Sequence, residues 1–210
     1  METRRMLPRI AEHLTEKYGK LFSPEKIADV VNYSFATLDA QSKVKTHLFT
    51  TTEHFADQRL HALAISHGLI QGDKPRVLFV CPSNTGRSQI AAALMGRRTE
   101  GAVGTRSGGV NPGGHLHHRA VEVLQERGID LSGMFPKPLD TDVHDAAEYV
   151  VAMGCLDQIE QRPDTTYIEW DIPLLAEKSV EEVREIVDLI ERHVDEFTKE
   201  LSTSARHAAA

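Results

Sequence analysis

Cys81 and Arg87 are separated by the five residues Pro82-Ser83-Asn84-Thr85-Gly86. A thiolate is a strong nucleophile at neutral pH, and a guanidinium offers a planar fork that fits a tetrahedral oxyanion. A loop that closes onto a helix N-terminus turns backbone N–H groups inward and makes an anion site. A cysteine at the start of such a loop feels the same positive field, which favours its thiolate. The spacing predicts attack by Cys81 on a phosphate-like oxyanion. The ligand would be held by the loop from Pro82 through Ser83, Asn84, Thr85 and Gly86 to the Arg87 fork. The plainer alternative is a buried strand-end cysteine and a surface arginine.

Other residues extend this chemistry. The Asn84 side chain can hydrogen-bond backbone groups within the loop and fix its shape, although asparagine is also common in surface turns. Cys155 is the second of two cysteines and follows the apolar run Val150-Val151-Ala152. It should therefore leave the same edge of a sheet as Cys81, either as a second thiol or as a small buried hydrophobe. His115, His117 and His118 are the densest of eleven histidines, and none stands at a metal-ligand spacing beside a cysteine. They read as a solvated helix start, and no metal site is expected.

The elements that must position these groups follow from periodicity. Val77-Leu78-Phe79-Val80 is a buried-type strand running into Cys81, and Ile90-Ala91-Ala92-Ala93-Leu94 is a helical run after Arg87. From Arg76 onward strands and helices alternate, the signature of a parallel α/β sheet. Strands are expected at 76–80, 102–106, 148–152 and 166–170, and helices at 88–98, 116–127, 155–160 and 179–201. The last helix opens on Ser179-Val180-Glu181-Glu182, a capping box. In such a sheet a ligand sits at the carboxyl ends of the strands, where Cys81 lies.

Residues 1–72 read as an all-α three-helix bundle. Ile10, Leu14 and Tyr18 share a face, Ser23-Pro24-Glu25 starts a second helix, and a third begins near Thr51. Gly68, Gly72, Asp73 and Pro75 mark a linker. A catalytic domain is expected over 73–203 and a disordered tail over 204–210. Three short helices bury little surface alone, and Phe22, Phe35, Phe49 and Phe55 are more than one small face should cover. A homodimer through residues 1–72 is the expectation.

Composition limits the partners. Residues 1–74 carry ten Lys and Arg against nine Asp and Glu, and the remainder fourteen against twenty-two. An acidic body argues against nucleic acid, and no apolar run approaches a membrane span. No signal core follows Met1, and two cysteines are too few for a disulfide framework. A cytoplasmic protein with a free, reactive thiol is expected.

The anion loop resembles that of the low-molecular-weight protein tyrosine phosphatase superfamily. Within it, Asn84-x-Gly86-Arg87-Ser88-Gln89-Ile90-Ala91 looks more like the arsenate reductase branch, since the phosphatase branch usually has Pro at the place of Gln89. The resemblance continues through Ser107-Gly108-Gly109, Arg119-Ala120-Val121, Arg127-Gly128-Ile129-Asp130, Pro136-Lys137-Pro138-Leu139, Met153-Gly154-Cys155 and Tyr167-x-x-Trp170. The N-terminal part resembles the three-helix dimerisation extension of some actinobacterial members. The resemblance implies a four-stranded parallel sheet with helices on both faces and an arsenate reductase activity. It implies that Ser88 hydrogen-bonds the Cys81 sulfur, and that Cys155 attacks Cys81 after arsenate has bound. No cofactor is implied; an external thiol, thioredoxin or a small thiol, would return the enzyme to its reduced form.

Three family features are absent. Those reductases carry a third cysteine shortly after the second, and this chain reads Leu156-Asp157-Gln158-Ile159-Glu160. The phosphatases carry an Asp-Pro general acid where this chain has Leu174-Leu175, and Asp171 is the nearest substitute. Ala92 stands where some reductases have an acid that binds potassium, so no potassium is expected. A tyrosine phosphatase using Cys81, Arg87 and Asp171 is the second reading. A non-catalytic oxyanion-binding dimer is the third.

Overall fold

The computed structural model describes residues 3–41, 47–129 and 134–208; Asp130 and residues 209 and 210 lie outside them. In chain order the elements are α1 (Thr3–Tyr18), α2 (Pro24–Gln41), α3 (Leu48–Ser66), β1 (Arg76–Cys81), α4 (Arg87–Arg98), β2 (Gly104–Gly109), α5 (His118–Glu126), α6 (Thr141–Asp145), β3 (Tyr149–Ala152), a 3-10 turn (Leu156–Gln158), β4 (Thr166–Glu169) and α7 (Val180–Ala208). They form two compact units, one of residues up to 71 together with 140–146, the other of 72–139 and 147 onward.

In the helical unit the apolar stripe of α1 does what its spacing predicts. Ile10, Leu14 and Tyr18 are buried against Ile27, Val30 and Val31 of α2 and Ala56, Leu60 and Leu63 of α3. Ser23 caps α2, its Oγ accepting the Lys26 N–H at 3.2 Å. Phe22 and Phe55 are buried, and Phe35 stacks on Phe49 with centroids 5.8 Å apart. Phe22 and Phe55 find cover within one bundle, whereas Phe35 and Phe49 remain half-buried. The short helix α6, which the periodicity did not reveal, is tied to α3 by Arg59. Its Nε lies 3.0 Å from Asp140 and its Nη2 2.6 Å from Asp142.

The second unit is a parallel sheet in the order β2-β1-β3-β4, the α/β architecture that the strand–helix alternation predicts. Val77, Phe79, Cys81 and Val151 form one core with Ile90 and Leu94 of α4, Val123 and Leu124 of α5, and Val183, Val187 and Ile190 of α7. Leu78, Val80, Val150 and Ala152, on the opposite face, are buried as well, as expected for parallel strands. Trp170 closes the end of this core, 5.6 Å from the Phe79 ring and stacked on His193 at 5.0 Å. The capping box of α7 forms: Ser179 N–H donates to Glu182 Oε2 at 2.8 Å, and Glu182 N–H to Ser179 Oγ at 3.2 Å.

Three boundaries differ from the sequence reading. β2 lies at Gly104–Gly109, toward the C-terminal side of 102–106, because an edge strand of Gly, Thr, Arg and Ser carries no apolar signal. The helix expected at 155–160 is only a 3-10 turn, since Cys155 is non-helical at φ −157° and Ile159 is already extended. α7 continues past 201 to Ala208, through most of the segment expected to be a disordered tail. Among the described residues no helix is long and apolar enough to cross a membrane.

Candidate active site

β1 delivers Cys81 to the carboxyl edge of the sheet, in register with Gly109 of β2. The chain then turns through Asn84 in the left-handed region at φ 50°, which asparagine tolerates better than most residues. Three carbonyls of the loop face outward. Pro82 O accepts from Asn111 N–H at 2.8 Å, Ser83 O from Gly113 N–H at 2.9 Å and Thr85 O from His117 N–H at 2.8 Å. The N–H groups of residues 83–86 donate to no carbonyl among the described residues. Carbonyls out and amides free is the arrangement of an anion-binding nest, and it runs into the N-terminus of α4.

A buried polar chain holds this loop. Cys81 Sγ lies 3.0 Å from Ser88 Oγ. Asn84 Nδ2 donates to the same Oγ at 2.8 Å. An amide nitrogen can only donate, so the Ser88 hydroxyl accepts there and keeps its own proton for the sulfur. Asn84 Oδ1 accepts from Lys137 N–H at 3.0 Å and from Gln89 Nε2 at 3.0 Å. Gln89 Nε2 also reaches Phe135 O at 2.5 Å. Gly109 is required beside this network, since a Cβ there would stand 2.9 Å from Asn84 Cβ and N.

Arg87, the first residue of α4, is buried, and its Nη1 donates to Ile172 O at 2.9 Å. The same nitrogen lies 3.5 Å from the point where a Cβ on Gly154 would be. The guanidinium is thus fixed between the turns that follow β3 and β4. Cys155 is next to Gly154, is buried, and like Cys81 is a free thiol. Its pKa is pushed up to about 11. Burial is the main cause, and Cys81 and Glu169 add to it. The Met153 backbone and Arg87 pull the other way.

Of the residues singled out by sequence, Cys81, Asn84, Gly86, Arg87, Ser88 and Cys155 are buried at this edge, and Pro82, Ser83 and Thr85 line it half-buried. Asp171 differs from these. Its side chain is exposed, and among the described residues no hydrogen bond joins it to the loop. The neighbouring chain supplies apolar cover instead: Leu175 is buried, its Cδ1 2.3 Å from where a Cβ on Gly86 would be, and Leu174 is 62% exposed. His117 caps α5, its Nδ1 accepting from Ala120 N–H at 3.4 Å. Burial, then His118 and Arg119, lower its pKa, which matches an unprotonated Nδ1. No cluster among the described residues has the composition to hold a metal ion.

Sequence reasoning missed four contributors: Gln89, the Phe135 carbonyl, the Lys137 N–H and the Ile172 carbonyl. Gln89 had a signal, a polar residue at the start of an otherwise apolar helix face. The others act through backbone atoms and leave no trace in residue type. Lys137 is itself buried, with Nζ 3.2 Å from Phe135 O and 4.3 Å from the Phe135 ring centroid. Burial, helped by Arg106, lowers its pKa to about 7.

Comparison with known proteins agrees with this geometry. The model of the low molecular weight phosphotyrosine protein phosphatase family matches residues 76–207, and that of the protein-tyrosine-phosphatase-like N-terminal domain matches residues 7–64. A thioredoxin-dependent arsenate reductase of Corynebacterium glutamicum is similar over 94% of this chain and 97% of its own, at 39% identity and a TM-score of 0.83. A putative arsenate reductase of Halobacterium salinarum is 36% identical over 57% of this chain and 90% of its own. An arginine phosphatase of Geobacillus stearothermophilus is similar over 63% of this chain and 96% of its own, at 28% identity and a TM-score of 0.57.

Proposed function

We propose an arsenate reductase: the chain belongs to the low molecular weight phosphotyrosine protein phosphatase family, its site has a second thiol at the end of β3, and Leu174-Leu175 stand where a phosphatase has its proton donor. The observation that carries this reading is the pairing of Cys155 with Arg87 and Cys81 at one sheet edge. Arsenate binds to the free amides of the loop and the Arg87 fork. The Cys81 thiolate attacks arsenic and one arsenate hydroxyl leaves as water with a proton taken up from solvent, with Ser88 holding the sulfur in position. The Cys155 thiolate then attacks Cys81 Sγ. The sulfur–sulfur bond forms, the sulfur–arsenic bond breaks with its electron pair passing to arsenic, and arsenite departs. Arsenic falls from the +5 to the +3 state as two thiols become one disulfide.

With no third cysteine in the chain, an outside donor must reduce the 81–155 disulfide directly. The similarity to a thioredoxin-dependent enzyme supports a thioredoxin in that role. A reaction that consumes thiols fits the reducing cytoplasm, where both cysteines stay free. We assign residues 73–203 as the catalytic domain and residues 1–72 as a dimerisation domain. The support for a dimer is the near-neutral charge of that segment and a groove of about 540 Å³ between α1 and α2, lined by Leu7, Pro8, Ala11 and Ala28 together with Glu12 and Glu16. Light scattering showing a monomer at micromolar concentration contradicts the dimer.

The test of the reaction is a coupled assay with thioredoxin, its reductase and NADPH. Arsenate-dependent NADPH oxidation without aryl-phosphate hydrolysis is the expected result. Hydrolysis without arsenate reduction selects the phosphatase, and oxyanion binding with neither activity selects the non-catalytic dimer.

A further inference from the structure

Gly154 and Cys155 leave β3 without a helix to hold them. Gly154 has φ 77°, a conformation that favours glycine, and Cys155 begins only a 3-10 turn of three residues. A side chain from β4 fastens this turn. Glu169, the last residue of β4, accepts the Gly154 N–H on Oε1 at 2.6 Å. β3 and β4 are neighbours, with Ala152 in register with Glu169, so a rigid strand end aims that carboxylate.

We infer that Glu169 is a positioning residue that sets the Gly154–Cys155 turn for attack on Cys81. The inference rests on reading Cys155 as the resolving thiol. Glu169 has two opposed effects on that step. Its hydrogen bond fixes Gly154, and through it the adjoining thiol, against the Arg87 guanidinium. Its negative charge, with that of Cys81, disfavours the Cys155 thiolate, whereas Arg87 favours it. The net rate is therefore a compromise between placement and ionisation. Glu169 is exposed, so its replacement leaves the core intact.

Two substitutions separate the effects. Glu169→Gln keeps an oxygen for the Gly154 N–H and removes the charge. Glu169→Ala removes both. Two assays isolate the Cys155 step: rapid-quench formation of the 81–155 disulfide with arsenate, and release of the second thionitrobenzoate after an Ellman-type disulfide has formed on Cys81. In the second assay Cys155 attacks Cys81 Sγ, the new disulfide forms and thionitrobenzoate leaves. The aryl disulfide is the oxidant, and arsenate is absent.

Since both variants are neutral at position 169, their ratio reports placement alone. The expectation is that Glu169→Ala is about tenfold or more slower than Glu169→Gln in both assays. Glu169→Gln should run at or above the wild-type rate at neutral pH, with its rate–pH profile displaced to lower pH. Equal rates for the two variants overturn the positioning role. An 81–155 disulfide that wild-type protein never forms in either assay removes the resolving role of Cys155, and this inference with it. A disulfide that forms with the aryl reagent but not with arsenate removes the reductase reading and leaves the Glu169 comparison standing.

Discussion

The loop at the end of β1 and the turn at the end of β3 begin alike and are held differently. Each follows a buried parallel strand, each begins with or soon reaches a buried cysteine, and the two strands are neighbours in the sheet. The first is fastened by an internal network in which Ser88, Asn84, Gln89 and Lys137 all take part. The second is held more lightly: the exposed Glu169 carboxylate takes the Gly154 N–H, and the Gln158 N–H donates to the Cys155 carbonyl at 3.0 Å. A group that binds a charged substrate must be preorganised, because a loose anion site spends binding energy on ordering itself. A resolving thiol must instead approach, attack and yield a disulfide, so a lightly held turn suits it. The difference suggests that oxyanion binding is built into the fold and that the thiol step is tuned at its edge.

Substitutions should grade along that contrast. The largest effect is expected from Cys81→Ser, which should lower turnover by about a thousandfold or more while arsenate or phosphate still binds, since an unactivated hydroxyl does not replace a thiolate. Steady-state assay and isothermal titration on the same preparation check both halves. Arg87→Lys comes next, with a loss of about a hundredfold, because a point charge cannot reproduce the fork or keep the Ile172 carbonyl contact in the same geometry.

Asn84→Ala strikes the network itself. It leaves the buried Lys137 N–H without its acceptor, while Gln89 keeps the Phe135 carbonyl, and should cost about 1–3 kcal/mol in urea unfolding as well as weakening oxyanion affinity. Loss of affinity with unchanged stability would mean that the network serves the ligand alone.

Lys137→Met tests the cost of that preorganisation. The folded-state pKa of Lys137, about 7, lies below the ordinary lysine value of 10.5. Unfolded chain therefore binds the extra proton between those values. The penalty is complete below pH 7 and fades as pH rises toward 10.5. Wild-type stability relative to Lys137→Met should rise across that window by up to about 1.4 kcal/mol per pH unit. A flat difference in chemical denaturation between pH 7 and 10 contradicts it. The smallest effect is expected at Asp171, whose side chain is exposed and makes no hydrogen bond to the loop among the described residues. Asp171→Asn should leave arsenate reduction within about twofold of wild type, and a tenfold loss would restore it as an acid.

The same contrast explains what the sequence could and could not reveal. The Cys81–Arg87 loop was legible because its chemistry lies in side chains at a fixed spacing after an apolar strand. Cys155 was legible as a thiol at the same sheet edge. The partners of Arg87 and Asn84 were not, because Ile172 and Lys137 contribute backbone atoms, and backbone atoms are the same in every residue. β2 was placed too early because its Gly-rich residues carry no period, although Gly109 is there to make room for Asn84. The four phenylalanines of the helical unit divide: Phe22 and Phe55 are buried, and Phe35 and Phe49 stack half-buried on each other, a pairing that a count of aromatic residues does not reveal.

The central claim is that Cys155 resolves the arsenylated Cys81. Its most direct measurement is peptide mapping by mass spectrometry after one turnover with arsenate, quenched with a thiol-blocking reagent. The account predicts a peptide pair joined through Cys81 and Cys155, absent when arsenate is omitted and absent in Cys155→Ala, which should also lose turnover with thioredoxin. Wild-type turnover by Cys155→Ala, with Cys81 recovered as an adduct of the external thiol, would contradict it.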